Sequence, residues 1–281
     1  MSTSQTRRSI DRRLAITPVA VLGGCLVVIV SACIGPWPHK SSTQVRETDF
    51  DRGVHLLEQA GVEGVSIGGG RSLEDSREYL RLVAELQGSK RDLLIAAVDA
   101  FEKAAQAEPS NYRIYANSAI ALIFLRRPEQ AVAKLDRAIE LCPREGNDLE
   151  ELAFIRAVFL GELADSAPLG GEPDINNLER ALAAYDFVLN VNPHKYEARY
   201  NRANLCDALG RYQDAVDDYD RILETRPQDP NCYIAKALTL RSAQRYQEAI
   251  AVIDHLLKIS PNHYGANRLR KELVALQSWG R

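Results

Sequence analysis

No two cysteines of the 281-residue chain stand as a CxxC pair, and none of its five histidines is placed to complete a metal-ligand set. That spacing excludes a structural zinc site. Of the five cysteines, Cys25 and Cys33 lie in or just after an apolar N-terminal run, which leaves Cys142, Cys206 and Cys232. An odd number in the body argues against a disulfide framework. Cys206 falls where a small apolar residue belongs on a helix face and reads as an inert core thiol. The histidines (His39, His55, His194, His255 and His263) are scattered, and none is spaced beside a plausible nucleophile.

Positive charge is also scarce. The formal charge is −3, and residues 1–32 hold four Arg against one Asp, so the remainder carries 31 basic and 37 acidic side chains, net −6. This balance excludes a nucleic-acid-binding footprint. The glycine-rich stretch GVEGVSIGGGRS (61–72) has Arg71 where a phosphate-binding loop requires Lys, and its glycines are wrongly spaced, so it reads as a loop. The acidic group Asp214, Asp217, Asp218 and Asp220 reads as the solvated face of an amphipathic helix. No catalytic residue, cofactor, metal or small-molecule substrate is expected, and the chain is predicted not to be an enzyme. A hydrophobic fraction of 46% is enough to build a core.

The N-terminus has the pattern of an address. Arg7, Arg8, Arg12 and Arg13 precede residues 14–32, which contain no charged side chain. In a bilayer the Arg cluster stays cytoplasmic while the apolar run enters or crosses the membrane, so residues 1–32 are set apart from the fold. The run ends Val30-Ser31-Ala32-Cys33, which resembles the lipobox of bacterial lipoproteins, with Val30 where that family more often has Leu. The resemblance implies acylation of Cys33, and Ile34 after it implies sorting to the outer membrane in the proteobacterial scheme. An uncleaved anchor is the main alternative, because 19 uncharged residues nearly reach the roughly 20 that span a bilayer. Pro18, Gly23 and Gly24 weaken that run as a helix. Ordinary cleavage and secretion is the third reading. Either main reading holds the body outside the cytoplasm, in the cell envelope, with the Pro-containing residues 33–47 as a tether.

The rest of the chain is periodic. Prolines at 109, 143, 193, 227 and 261 each follow an alanine by twelve residues (Ala97, Ala131, Ala181, Ala215 and Ala249), at intervals of 34, 50, 34 and 34. A large side chain comes four residues after each alanine (Phe101, Leu135, Tyr185, Tyr219, Ile253) and a smaller apolar one three further on, which places all three on one helical face. Upstream helices carry Ala119, Ala157, Ala203 and Ala237, three of them twelve residues before their partners. That distance suits an antiparallel hairpin with a tight turn, and Arg126-Arg127-Pro128 and Gly210-Arg211 mark two such turns. The proline then ends the second helix.

This pattern, and RYQDAVDDYDRILETRPQD and RYQEAIAVIDHLLKISPNH in particular, resembles the tetratricopeptide repeat (TPR). The resemblance implies an all-α, right-handed superhelical solenoid with four units over 112–263 (112–145, 150–195, 196–229 and 230–263). A capping helix follows within 264–281, and a divergent helical repeat region precedes at 48–111. In that region 90–107 is a second helix, and 74–87 is favoured over 48–60 as its partner. The chain departs from the family in having Tyr115 and Tyr233 in place of the early Trp, and Ser118, Arg156, Arg202 and Lys236 in place of a Leu, changes expected to weaken local packing. An insertion at 165–176 is predicted to form a loop between two helices.

The resemblance further implies a concave face lined by first helices that receives an extended peptide or a partner helix. Ile120, Phe124, Phe154, Val158, Tyr200, Asn204, Asp207, Ile234, Leu238 and Arg241 are the residues expected there. A carboxylate clamp like that of chaperone-binding members is not reproduced, since the comparable places hold Tyr200, Asn204 and Ala235. The expected role is a membrane-tethered scaffold for protein-protein interaction, an assembly or recruitment adaptor. The alternatives are a signal-anchored subunit of an inner-membrane complex and a structural protein self-associating through 48–90 or the 165–176 loop.

Overall fold

The computed structural model describes residues 48–60, 90–144, 148–165 and 174–279. The Arg cluster, the apolar run, Cys33, the glycine-rich stretch, the 74–87 segment and most of the insertion lie outside the described residues. Among those residues there are eleven helices and no strand. They divide after Asn192 into two compact units. The N-terminal unit holds α1 (Asp49–Ala60), α2 (Arg91–Ala107), α3 (Tyr112–Phe124), α4 (Pro128–Leu141), α5 (Asp148–Asp165) and α6 (Ile175–Val191). The C-terminal unit holds α7 (Tyr196–Ala208), α8 (Tyr212–Thr225), α9 (Pro230–Ser242), α10 (Tyr246–Ile259) and α11 (Tyr264–Trp279).

Consecutive helices pack as hairpins α1/α2, α3/α4, α5/α6, α7/α8 and α9/α10, with α11 covering α10. The periodic alanines explain how closely they approach. Ala119, Ala157, Ala203 and Ala237 of the first helices and Ala97, Ala131, Ala181, Ala215 and Ala249 of the second helices are all 0% exposed. Nothing larger than a methyl group fits where two backbones come so near, and overpacking such a site costs about 1–3 kcal/mol. The large residues four places on, among them Phe101, Tyr185 and Tyr219, fill the adjoining space and are buried as well. Capping helix α11 contributes Ala266, Leu269 and Leu273 to the core that Ala249, Ile253 and Leu256 of α10 build.

In the N-terminal unit α2 packs against α1, the 48–60 segment, while the 74–87 segment favoured from sequence lies outside the described residues. The Phe50 and Phe101 rings lie 6.0 Å apart, and Gly53 makes room for the second of them, since a Cβ there would lie 2.5 Å from Phe101 Cε1. The insertion is also shorter than expected at its C-terminal end. Asp174 caps α6, accepting from the Asn176 and Asn177 amides, so Ile175 and Asn176 are helical.

Two of the departures from the repeat pattern, Arg156 and Lys236, tie one hairpin to the next, and Arg270 of the capping helix does the same. Arg156 on α5 reaches Asp136 on α4, Lys236 on α9 reaches Asp220 on α8, and Arg270 on α11 reaches Asp254 on α10. Each joins a helix to the second helix before it, and each pair has a partner exposed enough to limit its contribution to about 0–1 kcal/mol. Four prolines likewise have their carbonyl oxygens satisfied by the fourth residue of the next helix. Tyr115 donates to Pro109 at 3.0 Å, Arg199 to Pro193 at 2.6 Å, Tyr233 to Pro227 at 3.0 Å and Asn267 to Pro261 at 3.0 Å. Ser118 has no such role, and its buried hydroxyl has no hydrogen-bond partner.

Three hairpin turns share one backbone device. Arg126, Gly210 and Gln244 follow the C-caps of α3, α7 and α9 with φ of 54°, 72° and 61°. The next amide in each turn bonds back into the helix, Arg127 to Leu122, Arg211 to Cys206 and Arg245 to Leu240. This left-handed closure satisfies carbonyls that the helix end leaves open, and glycine adopts it without strain. Gly210→Ala is expected to lower stability by about 1 kcal/mol. Gln244→Gly is expected to raise it by less, because the glycine's extra freedom in the unfolded chain offsets part of the relieved strain. Urea midpoints of the two variants check the opposite signs.

Candidate functional site

The residues expected to line the concave face behave differently in the two units. In the N-terminal unit Ile120, Phe124 and Val158 are 2%, 3% and 7% exposed, so they belong to the core and are not surface anchors. The reason is visible in α3, where Ile114 and every residue from Ala116 to Leu125 is buried. A helix apolar on all sides is a buried helix. Asn117 is buried with them, and neither its amide nitrogen nor its oxygen has a partner. Of the four expected residues only Phe154 keeps partial exposure, with its ring edge-on to Tyr185 at 6.2 Å between centroids.

In the C-terminal unit the expected residues come together. Tyr200, Asn204 and Asp207 occupy one side of α7 at spacings of four and three, while Ile234, Leu238 and Arg241 repeat that spacing on α9. Tyr200, Ile234, Leu238 and Arg241 are half-buried; Asn204 and Asp207 are buried. Tyr200 stacks on Tyr196 at 6.0 Å and meets the edge of Tyr219 at 5.7 Å. The Tyr219 hydroxyl, from α8, donates to Asn204 Oδ1 at 2.6 Å. That bond fixes the amide and leaves Asn204 Nδ2 buried without a partner. Burial pushes the Tyr219 phenol well above its ordinary value, so it stays a donor at any physiological pH.

Asp207 sits beside this pair. Burial raises its carboxyl above the ordinary range, while a hydrogen bond from Thr239 and the nearby Arg241 charge work in the opposite direction. Its Oδ1 has no hydrogen-bond partner. Arg241 is itself engaged by Glu272 of α11 at 2.7 Å. Sequence spacing found Tyr200, Asn204, Asp207 and Arg241, but not Thr239 of α9, nor Tyr219 and Glu272, which reach the face from α8 and α11.

The acidic group of α8 needs one correction. Asp214, Asp217 and Asp220 are exposed as expected, but Asp218 is 2% exposed. Arg202 grips it through Nε at 2.7 Å and Nη2 at 2.5 Å, and Arg199 Nη1 adds a third bond at 3.2 Å. Its place is structural. Cys206 is buried, and burial pushes its thiol up to about 12, which matches an inert core cysteine. His263 caps α11, its Nδ1 accepting from the Ala266 amide at 3.1 Å.

Among the described residues no three His, Cys, Asp or Glu side chains are grouped to hold a metal ion. No described helix is long and apolar enough to cross a membrane. The exposed large apolar side chains among the described residues are Ile175, Phe187 and Val191 on α6 and Ile259, Tyr264 and Val274 in the C-terminal unit.

Residues 174–230 and 230–263 each match a tetratricopeptide-repeat family model. The fold is similar to that of YrrB, described as a TPR protein with an unusual peptide-binding site (16% identity, TM-score 0.51, covering 78% of this chain and 97% of that one). It is also similar to a tetratricopeptide-repeat protein from Parabacteroides merdae (19% identity, TM-score 0.53, covering 81% of this chain and 74% of that one). A third is the C-terminal part of a TPR repeat-containing protein from Cytophaga hutchinsonii (14% identity, TM-score 0.52, covering 70% and 71%). No curated protein matches the chain. The chain thus carries tetratricopeptide repeats in an all-α solenoid, the class of fold that serves protein-protein interaction as a scaffold.

Proposed function

We propose that the chain is a membrane-tethered scaffold of the bacterial cell envelope, an assembly or recruitment adaptor that takes an extended peptide or partner helix along α7 and α9. One observation carries the binding face: Asn204 Nδ2 and Asp207 Oδ1 are buried without partners beside the half-buried apolar side chains Tyr200, Ile234 and Leu238. An unmet donor next to an unmet acceptor suits a peptide, whose backbone offers both. Leaving such groups unpaired costs about 1–3 kcal/mol each, which a ligand recovers. YrrB, similar in fold, is a TPR protein with a peptide-binding site. The tether rests on the four arginines before the uncharged run 14–32 and on Cys33 after it.

Replacing Tyr200 and Leu238 together by glutamate is expected to abolish partner binding, while far-ultraviolet circular dichroism retains the helical signal, since both side chains are only half-buried. Binding that survives the double substitution moves the site elsewhere. The anchor is read by intact mass of the membrane-extracted protein with and without Cys33→Ala. A chain beginning at an acylated Cys33, lost in the variant, supports the lipoprotein reading; retention of residues 1–32 replaces it with the uncleaved anchor of an inner-membrane subunit.

A further inference from the structure

We propose that the α7–α9 face selects a peptide carrying a basic side chain, lysine or arginine, and that Asp207 is the receptor for it. This deepens the reading of that face as a peptide site and rests on it. An ionised carboxylate offers about four acceptor positions, yet Asp207 has a hydrogen bond from Thr239 and an Oδ1 with none. Arg241 is near enough to act on Asp207 by its charge, but its guanidinium is held at 2.7 Å by Glu272 on α11. Among these three groups two carboxylates share one guanidinium, an excess of one negative charge. A carboxylate or phosphate ligand would meet that excess as repulsion. A cation is attracted, and it supplies the donor that Oδ1 lacks.

The walls fit the same ligand. Lysine and arginine reach a buried acceptor on three or four methylene groups, and those stems need apolar surface along their length. Tyr200, Ile234 and Leu238 provide it, half-buried on the two helices that flank the carboxylate. Asn204 Nδ2, one turn from Asp207 on α7 and also unpartnered, remains for the ligand's backbone carbonyl. A neutral donor such as glutamine would satisfy Oδ1 without meeting its charge, so charge is the property that separates ligands here.

The test selects a displayed library of random decapeptides on the full-length protein in detergent. Enriched peptides are expected to share a lysine or arginine at one place. Replacing that residue by glutamine or norleucine is expected to weaken binding to the wild-type protein at least about 30-fold, the lower end of what losing a buried charge pair does. On Asp207→Asn, which keeps shape and removes charge, the same replacement should matter less than about threefold. Enriched peptides without a shared basic residue overturn the proposal, as does a loss on Asp207→Asn equal to that on wild type. Should Asp207→Asn fail to fold, the wild-type series still decides, because norleucine binding as tightly as lysine rules out a charge receptor. The Tyr200→Glu, Leu238→Glu variant separates the two levels. Peptides that bind it unchanged remove the α7–α9 face and this proposal together, whereas peptides that require the face but share no basic residue remove only the proposal.

Discussion

Asp218→Ala is expected to cost about 3–5 kcal/mol, more than any other single charge change in the C-terminal unit. The Asp218 side chain is 3% exposed, and Arg199 and Arg202, whose side chains are only 13% and 23% exposed, turn their guanidinium groups onto it. Removing the carboxylate leaves two largely desolvated cations side by side between α7 and α8 without the negative charge that both share. Asp254→Ala provides the control, since Asp254 and Arg270 are each about two-fifths exposed and an exposed pair is worth at most about 1 kcal/mol. Urea unfolding of the two variants measures the contrast, and hydrogen exchange shows whether the loss is confined to α7 and α8, as nearest-neighbour stacking requires. Equal, small losses for both would mean that Asp218 is far better solvated than its burial indicates.

The hairpins were legible because their determinants are local. An alanine, a large side chain four residues on and a proline twelve residues on mark a second helix wherever they recur, and every one of those alanines is fully buried. What could not be read locally is what a charged residue on one helix meets on another. Arg156, Arg202 and Lys236 look like defects beside an expected leucine, yet their partners Asp136, Asp218 and Asp220 stand 16 or 20 residues away, on second helices. The same limit divides the binding face. Spacing along α7 and α9 brings Asn204, Asp207 and Arg241 to one side, whereas the hydrogen bonds that decide which of their atoms remain open come from Tyr219, Thr239 and Glu272. For Ile120 and Phe124 the signal was present and outweighed. The run Ala116–Leu125 is apolar on nearly every side of its helix, which marks a buried segment before any groove is considered.

Phe101→Ala is expected to cost about 3–5 kcal/mol, and its dependence on Gly53 tests which segment pairs with α2. Phe101 is 1% exposed, and its ring is packed against Phe50 and over the bare Cα of Gly53. A methyl group at Gly53 would lie 2.5–2.9 Å from three atoms of that ring, an overlap that enclosed packing relieves only by displacement. Gly53→Ala should therefore destabilise the hairpin by about 1–3 kcal/mol in the wild-type background. In the Phe101→Ala background it should be neutral or stabilising, because the new methyl enters the cavity left by the ring and alanine favours the helix over glycine. The measurement is amide exchange over 91–107, which opens with the α1/α2 hairpin. A Gly53→Ala variant whose exchange there is unchanged would show that α2 takes its support from another segment, and the pairing of α1 with α2 would have to be abandoned.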